Sequence, residues 1–333
     1  MNSDKVKTHR LKIATRSSPL ALIQADYVKK NLERQGFSSE LCQIKTTGDL
    51  ILDKPLHEIG GKGLFIKELE KSLLRQETDL AVHSLKDLPC KLDSQFKFVA
   101  YLSRTYFHDI LVVPKDGSPL SSLLEGETLL SEDFISQLPS CKIATGSLRR
   151  KALIQRCHPK IEVLPIRGNI NTRLAKLKKE ALDGLILSEA SLARLKIPAD
   201  DFVFYKLDPV WFVPCTAQGV IVVESLAGFE QDSVLAKISC EDTKKACELE
   251  RAILASLGGS CLLPIGIYCR LGQGVYEIYV VVLNESGSQE LRYKKSFNLT
   301  EGQEDIVQKV KLDLYEKNIN EILLQLGIEG ITS

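Results

Sequence analysis

One strand–turn–helix pattern occurs twice in this 333-residue sequence, and it constrains the fold more than any other feature. The first copy has IAT at 13–15, serine at 17 and ALIQ at 21–24, and the second repeats them at 143–145, 147 and 152–155. In each copy an apolar strand leads to a serine that can cap the next helix. A weaker pair of similar segments is TDLAVHSLKDL (78–88) and LDGLILSEASL (182–192). The repetition predicts two related α/β lobes, although chance convergence of two strand–cap–helix units would give the same pattern.

Length, charge and cysteine content narrow the class of protein. A chain of 333 residues predicts two or three domains. The net charge of +1 gives no overall field that would attract nucleic acid or an anionic membrane. There is no secretory signal pattern and no apolar run of about 20 residues. Nine scattered cysteines without a CxxC motif favour reduced thiols in the cytoplasm, and no Cys/His group has the spacing of a metal site.

The segment DLAVHSLKDLP (79–89) is the first candidate site. Its apolar residues predict a short buried strand that ends in a polar cluster containing His83, Ser84, Lys86 and Asp87. The carboxyl ends of parallel strands are where α/β proteins place their chemistry. An ordinary polar loop after a strand would look the same, so the interpretation depends on the rest of the chain.

Arginines recur at predicted junctions between strands and helices. Arg16 follows the first strand, and Ser18 or its neighbour can cap the helix that comes next. In the second lobe the junction residues are Thr145, Gly146, Ser147, Arg149 and Arg150, followed by Arg167 after the next strand and Arg173 in the first turn of another helix. Guanidinium groups bind carboxylates through paired hydrogen bonds. Because a helix dipole disfavours cations at its N-terminus, these positions indicate an anionic ligand.

The remaining segments predict further elements. Gly60-Gly61-Lys62-Gly63 is a flexible loop before a helix, and it lacks the spacing of a Walker A loop. Residues 115–140 predict a surface loop with one helix. From about residue 241 the sequence predicts an amphipathic helix, three strands and one long terminal helix over 304–327. Cys261 lies on the glycine-rich turn after the first of these helices. A buried core cysteine is the more usual interpretation, but such a turn gives a cysteine less apolar cover than a strand does.

Six segments together resemble the porphobilinogen deaminase (hydroxymethylbilane synthase) family, and they occur in the family's order along nearly the whole chain. They are IATRSSPLAL (13–22), GGKGLFIKELE (60–70), DLAVHSLKDLP (79–89), ATGSLRRKA (144–152), RGNINTRL (167–174) and GGSCLLPIG (258–266). Ala217 departs from the family, which usually has glycine before the Gln218-Gly219 pair, so the local turn is expected to differ.

The resemblance implies an α/β fold with three domains. Two lobes resemble periplasmic binding proteins of type II, and a smaller α+β domain follows them. Domain 1 is expected at 10–105 and 219–236, because the chain returns to it, domain 2 at 109–213 and domain 3 at 240–333. Periodicity alone does not predict that return.

The resemblance also implies a transferase, hydroxymethylbilane synthase. It joins four porphobilinogen molecules head to tail on a dipyrromethane cofactor held covalently by Cys261, releases ammonia at each addition and hydrolyses off linear hydroxymethylbilane for tetrapyrrole and haem biosynthesis. Asp87 is expected to be a buried catalytic carboxylate that stabilises the positive charge formed as ammonia leaves and helps to protonate the leaving amine. The expected contacts to the cofactor are Ser84, Lys86, Asp87, Thr145, Gly146, Ser147, Arg149 and Arg150. Those expected to bind substrate are Arg16, Ser18, Lys62, Arg149, Arg150, Arg167, Arg173, Arg194 and Gln218. A cytoplasmic monomer without metal, nucleic-acid or membrane partners is expected.

Two other functions fit parts of the sequence. Two lobes with arginines could form a binding module for a dicarboxylate, but such a module gives no reason for a third domain that presents a cysteine. A hydrolase with a cysteine nucleophile would need a histidine partner, and no histidine motif accompanies Cys261.

Overall fold

The chain divides into two compact units in the computed structural model, which describes residues 10–45, 66–123, 126–230, 232–260 and 262–332. The first unit holds the described residues of Met1–Arg104 and Val220–Thr243, and the second holds those of Thr105–Gly219 and Lys244–Ser333. Among the described helices, none combines the length and the apolar character that crossing a bilayer requires.

A five-stranded mixed sheet in the order β2-β1-β3-β11-β4 forms the centre of the first unit. Its strands are Leu11–Arg16 (β1), Ser39–Ile44 (β2), Leu80–Ser84 (β3), Phe96–Tyr101 (β4) and Ile221–Leu226 (β11). Its helices are Pro19–Arg34 (α1), Lys67–Leu74 (α2) and Asp232–Ala236 (α8), with a 3-10 turn at Leu85–Asp87. β1 is parallel to both of its neighbours, whereas β11 runs antiparallel between β3 and β4. The chain therefore comes back to this sheet after residue 219.

The second unit contains a six-stranded sheet in the order β6-β10-β5-β9-β7-β8. Its strands are Asp109–Pro114 (β5), Leu129–Leu130 (β6), Lys142–Ala144 (β7), Glu162–Leu164 (β8), Gly184–Ser188 (β9) and Phe202–Leu207 (β10). Its helices are Pro119–Leu123 (α3), Glu132–Ser136 (α4), Leu148–Cys157 (α5), Ile170–Lys179 (α6) and Glu189–Leu195 (α7). β7 is parallel to β8 and β9, while β5 is antiparallel to β9 and β10.

The same unit includes a C-terminal α+β region with its own antiparallel sheet, in the order β12-β13-β14. The strands are Ile265–Gly272 (β12), Val275–Leu283 (β13) and Glu290–Asn298 (β14), and the helices are Glu241–Ser256 (α9), Gln303–Glu316 (α10) and Asn320–Gln325 (α11). One hydrophobic core joins the two sheets, since Tyr268 and Val281 lie in the same buried cluster as Leu111 and Phe212. The segments predicted as domains 2 and 3 thus each have a sheet of their own, and they pack together within one compact unit.

The structure confirms the repeated pattern as two strand–cap–helix elements. Ser18 accepts a hydrogen bond from the Ala21 amide at the start of α1, and Ser147 accepts one from the Arg150 amide at the start of α5. Both serines have extended backbones, as helix caps require. Each cap directly follows a strand, so the arginine-rich junctions lie at strand ends as predicted.

Two local predictions are wrong. Residues 115–140 were expected to form a surface loop with one helix, but their described part contains two helices and a strand, because Leu120, Leu130 and Ile135 are fully buried. The single terminal helix expected over 304–327 is instead α10 and α11. Asn318 lies between them with φ of 61°, a left-handed conformation that asparagine tolerates and that ends a helix.

Replacing Ala181 with glycine is expected to stabilise the second unit by about 0.5–1 kcal/mol. Ala181 is exposed just after α6 and has φ of 47°, which strains any residue with a Cβ atom. Ala175 in the middle of α6 is also exposed, and glycine there should cost about 1 kcal/mol. Urea unfolding midpoints of the two variants should therefore move in opposite directions, and a lower midpoint for Ala181→Gly would contradict the prediction.

Candidate functional site

In the first unit, the predicted polar residues gather at one edge of the sheet. Ile13 pairs with Leu80 and Ala14 with Ala81, so the parallel strands β1 and β3 end side by side. Arg16 is the half-buried last residue of β1, and it immediately precedes the N-terminus of α1. Backbone N–H groups at such a terminus favour an anion.

The end of β3 continues into the 3-10 turn that carries Lys86 and Asp87. Ser84 is fixed by α1, because Gln24 Nε2 donates a 2.8 Å hydrogen bond to Ser84 Oγ. Lys86 is half-buried. The expectation of a buried Asp87 is wrong, since its side chain is exposed in the outward part of this short turn.

Beside this edge lies a buried histidine–carboxylate pair, and the sequence analysis named His83 but missed its partner, Glu224. Nε2 of His83 lies 2.9 Å from Oε2 of Glu224, and the Glu224 side chain is completely buried in β11. His83 and Glu224 lie two positions apart across the antiparallel β3–β11 pair. A buried carboxylate requires hydrogen bonds or an opposite charge. The pair therefore fixes the end of β3, from which the Lys86–Asp87 turn departs.

In the second unit, Arg149 and Arg150 both bind Asp109, which the sequence analysis also missed. Arg149 Nη2 and Arg150 Nη2 each lie 2.7 Å from an oxygen of the Asp109 carboxylate, and all three side chains are buried. Arg149 also donates to the Val213 carbonyl, and Arg150 to the Ile186 carbonyl. Burial alone would raise the pKa of Asp109, but the two guanidinium groups outweigh it and lower that pKa from 3.8 to about 2. The arginine pair is thus a charged internal network.

Gln218 belongs to the same network. Its Nε2 donates to the Phe107 carbonyl at 2.9 Å and to Asp109 Oδ1 at 3.0 Å, while its Oε1 accepts from Arg150 Nη2 at 3.5 Å. The side chain is 1% exposed. This geometry makes Gln218 a support for the Asp109–arginine network, and its contact with substrate stays a prediction.

Arg194 takes part in a different contact. Its Nη2 donates to the Gly219 carbonyl at 2.5 Å from the last turn of α7. Gly219 has φ of 92°, and a Cβ atom at this position would lie 1.9 Å from the Tyr106 carbonyl oxygen. Only glycine fits so close to the Tyr106 backbone. Arg194 therefore connects α7 to the point where the chain at Gly219 packs against Tyr106.

Arg173 lies above the junction between β7 and α5. A Cβ atom at Gly146 would be 3.0 Å from the Ile166 carbonyl oxygen, so glycine lets these two backbone segments approach closely, and Arg173 Nη1 would be 3.7 Å from the same atom. Thr145 is buried there and accepts from the Ser147 amide at 3.3 Å. The structure thus brings together Thr145, Gly146, Ser147 and Arg173, as their positions at neighbouring strand ends predict.

The charge of Arg173 is not compensated within the described residues. Its Nε donates to the Gly168 carbonyl at 2.8 Å, but neither terminal nitrogen has a hydrogen-bond or ion-pair partner there. Burial, and then repulsion from Arg150 and Arg167, lower the pKa of Arg173 to about 10. Arg167 is half-buried and likewise has no carboxylate partner in the described residues. This local excess of positive charge suits an anionic ligand.

Two predicted residues, Lys62 and Cys261, lie outside the described residues. The described residues nevertheless fit a group that carries several carboxylates, since the terminal nitrogens of Arg173 and the buried Nε of Arg149 are unpartnered hydrogen-bond donors. Within the described ranges, no group of three or more His, Cys, Asp or Glu side chains could hold a metal ion.

Comparisons with known proteins agree along most of the chain. Residues 11–233 match the family described as "Porphobilinogen deaminase, dipyromethane cofactor binding domain", and residues 244–316 match "Porphobilinogen deaminase, C-terminal domain". The porphobilinogen deaminase of Caldicellulosiruptor saccharolyticus is 38% identical over 83% of this chain and 89% of its own length. That of Xanthomonas euvesicatoria is 37% identical over 95% of this chain and 99% of its own length.

Similarity to solved structures is lower. The second substrate-binding domain of Lactococcus lactis GlnP is 11% identical with a TM-score of 0.41, over 76% of this chain and 92% of that one. The two family matches, in contrast, together cover residues 11–233 and 244–316, with the cofactor-binding domain first and the C-terminal domain second. On these matches, the chain belongs to the porphobilinogen deaminase family.

Proposed function

We propose that this protein is a transferase that joins four porphobilinogen molecules head to tail and releases linear hydroxymethylbilane. In each addition the bond between the aminomethyl carbon and nitrogen breaks, a carbon–carbon bond forms at that carbon, and ammonia leaves. The covalently bound dipyrromethane supplies the primer for chain growth. A monomer in the cytoplasm, serving tetrapyrrole biosynthesis, belongs to the same proposal.

The observation that carries the proposal is the uncompensated charge of Arg173 beside Arg167. Every pyrrole unit of the substrate bears an acetate and a propionate, so a growing chain accumulates carboxylates. Arg173 has two terminal nitrogens available for a bidentate pair with one of them. Arg149 and Arg150 add positive charge near Arg173, although both guanidinium groups already form ion pairs with Asp109.

Asp87 is the proposed catalytic carboxylate. Its exposed side chain can accept hydrogen bonds from pyrrole N–H groups and stabilise the positive charge that develops as ammonia leaves. Arg16 and Lys86, at the same sheet edge, add cationic groups for the carboxylates. Cys261 and Lys62 are proposed for covalent attachment of the cofactor and for substrate binding on the family resemblance alone.

Intact-mass measurement with peptide mapping tests this function. Protein produced with porphobilinogen available should carry two linked pyrrole units on the peptide that contains Cys261, and Cys261→Ser should carry none. Asp87→Asn should reduce the rate of ammonia release by at least about a hundredfold, because it removes the negative charge that stabilises the transition state.

Asp116→Asn is the matched control, because Asp116 is also an exposed aspartate but lies in a loop of the second unit. It should keep the wild-type rate. An unmodified Cys261 in protein that binds porphobilinogen without releasing ammonia would instead identify a binding module.

A further inference from the structure

Glu250 is a completely buried carboxylate with two backbone partners. It lies on α9, where its Oε2 accepts a 2.7 Å hydrogen bond from the Ala217 amide and its Oε1 accepts a 2.8 Å hydrogen bond from the Cys269 amide. Burying a carboxylate is costly unless strong hydrogen bonds compensate. Glu250 therefore ties the turn before Gln218 to strand β12 of the C-terminal region.

The turn that Glu250 holds is strained. Ala217 has φ of 57°, in the left-handed region that residues with a Cβ atom disfavour. Its side chain is 1% exposed, and the next amide, that of Gln218, donates to the Cys215 carbonyl at 2.9 Å. The backbone of Ala217 has the left-handed conformation typical of glycine. An external acceptor for the Ala217 amide stabilises this conformation.

The strained turn sets the position of Gln218, whose side chain holds Asp109 as described above. A continuous series of contacts thus runs from Cys269 through Glu250, Ala217 and Gln218 to Asp109 and the two arginines. We infer that Glu250 is a positioning residue, which orders the Asp109–Arg149–Arg150 network from the C-terminal region by fixing the turn at Ala217. The ordering of the network by Glu250 does not depend on the proposed function. Only the use of this network for a polycarboxylate substrate rests on that proposal.

The alternative is that Glu250 only fastens α9 to its neighbours. Hydrogen exchange of the Arg150 Nε–H group separates the two roles, because this group donates to Asp109 Oδ1 at 2.9 Å and reports the order of the network directly. In Glu250→Gln one oxygen is replaced by an NH₂ group that faces a backbone amide, so the hydrogen bond from either the Ala217 amide or the Cys269 amide is lost. We expect Arg150 Nε–H to exchange at least about tenfold faster in this variant, measured by NMR on the full chain relative to amides in β13.

A second substitution tests the path through the turn. Ala217→Gly in the Glu250→Gln background removes the steric penalty at this position, and it should restore at least half of the lost protection on a logarithmic scale. Glu285→Gln is the control, because Glu285 is exposed in the β13–β14 loop, and it should leave exchange unchanged.

Unchanged Arg150 protection in Glu250→Gln would overturn the inference, as would a lack of recovery in the double variant. If Glu250→Gln alone does not fold, recovery of folding by Ala217→Gly supports the inference, and failure of the double variant to fold contradicts it. None of these outcomes depends on deaminase activity, so absence of that activity would contradict the proposed function alone.

Discussion

Asp109→Asn is expected to lower the free energy of unfolding of the second unit by about 3–5 kcal/mol. The carboxylate is the shared partner of two buried guanidinium groups, and Asp109 is only 1% exposed. Asparagine has a similar shape but no charge, and its NH₂ group would face an arginine donor. Two buried cations would then remain without compensation, which is far more costly than the loss of one neutral hydrogen bond.

The effect of this substitution should depend on pH. The pKa of Asp109 is lowered in the folded state to about 2, so its stabilisation is fully present above pH 4, near the unfolded value. As pH falls from about 4 to 2, the carboxylate is protonated and the stabilisation is lost. Wild-type stability should therefore fall more steeply across this range than that of Asp109→Asn.

Asp201→Asn is the appropriate control, because Asp201 also pairs with a cation, at 2.6 Å from Lys178 Nζ, but its side chain is 61% exposed. Exposed pairs contribute about 0–1 kcal/mol, so this variant should unfold almost like the wild type. Denaturant titrations at pH 7 and at several values down to pH 2 provide both measurements. A loss below about 1 kcal/mol for Asp109→Asn at pH 7 would show that the arginines are compensated in some other way.

The repeated elements could be predicted from the sequence because their determinants are local. Ser18 and Ser147 stand directly between an apolar strand and an amphipathic helix, and each caps its helix as expected. Arg173 could likewise be placed at a strand–helix junction, because the strand, turn and first helical turn before it are contiguous in sequence. Such positions depend on propensity and capping, which neighbouring residues determine.

The partners of the buried charges could not be predicted in the same way. Asp109 lies 40 residues from Arg149, and Glu224 lies 141 residues from His83. Only tertiary structure brings these pairs together, so no local sequence pattern identifies which residue each carboxylate contacts. A usable signal existed, however, because Asp109 and Glu224 stand beside or inside apolar runs, DILVVP and VIVVESL, where a lone carboxylate must be paired.

The exposure of Asp87 was mispredicted for a related reason. The apolar run before it correctly indicated a buried strand, but that strand ends at Ser84. The 3-10 turn that follows buries Leu85 and turns Asp87 outward. Burial could not be extrapolated past the strand end, because the direction of each side chain in a short turn depends on where the chain leaves the sheet.

Arg173→Met is expected to change stability and ligand binding in opposite directions. Without a ligand, the free energy of unfolding should stay the same or rise by up to about 1 kcal/mol, because the substitution removes a charge that burial and two arginines disfavour. The lowered folded-state pKa means that this penalty is fully present at neutral pH. Loss of the hydrogen bond to the Gly168 carbonyl partly offsets the gain.

Activity, in contrast, should fall by at least about a hundredfold in kcat/KM for porphobilinogen, measured by ammonia release. A bidentate guanidinium–carboxylate pair contains two charge-assisted hydrogen bonds, each contributing about 1.5–3 kcal/mol, and methionine replaces neither. Arg156→Met is the control, since Arg156 is half exposed and has a carboxylate partner, Glu290, 3.4 Å away. It should leave kcat/KM unchanged.

The combination of results is what identifies a ligand-binding arginine. An arginine whose charge is compensated inside the protein, as that of Arg150 is by Asp109, is expected to lose stability and activity together when it is replaced. An arginine whose charge is compensated only by the ligand loses activity while the free protein stays as stable or becomes more so. A loss of more than about 1 kcal/mol of stability in Arg173→Met, or an unchanged kcat/KM, would place Arg173 in the first class and remove the main support for a polycarboxylate ligand at this junction.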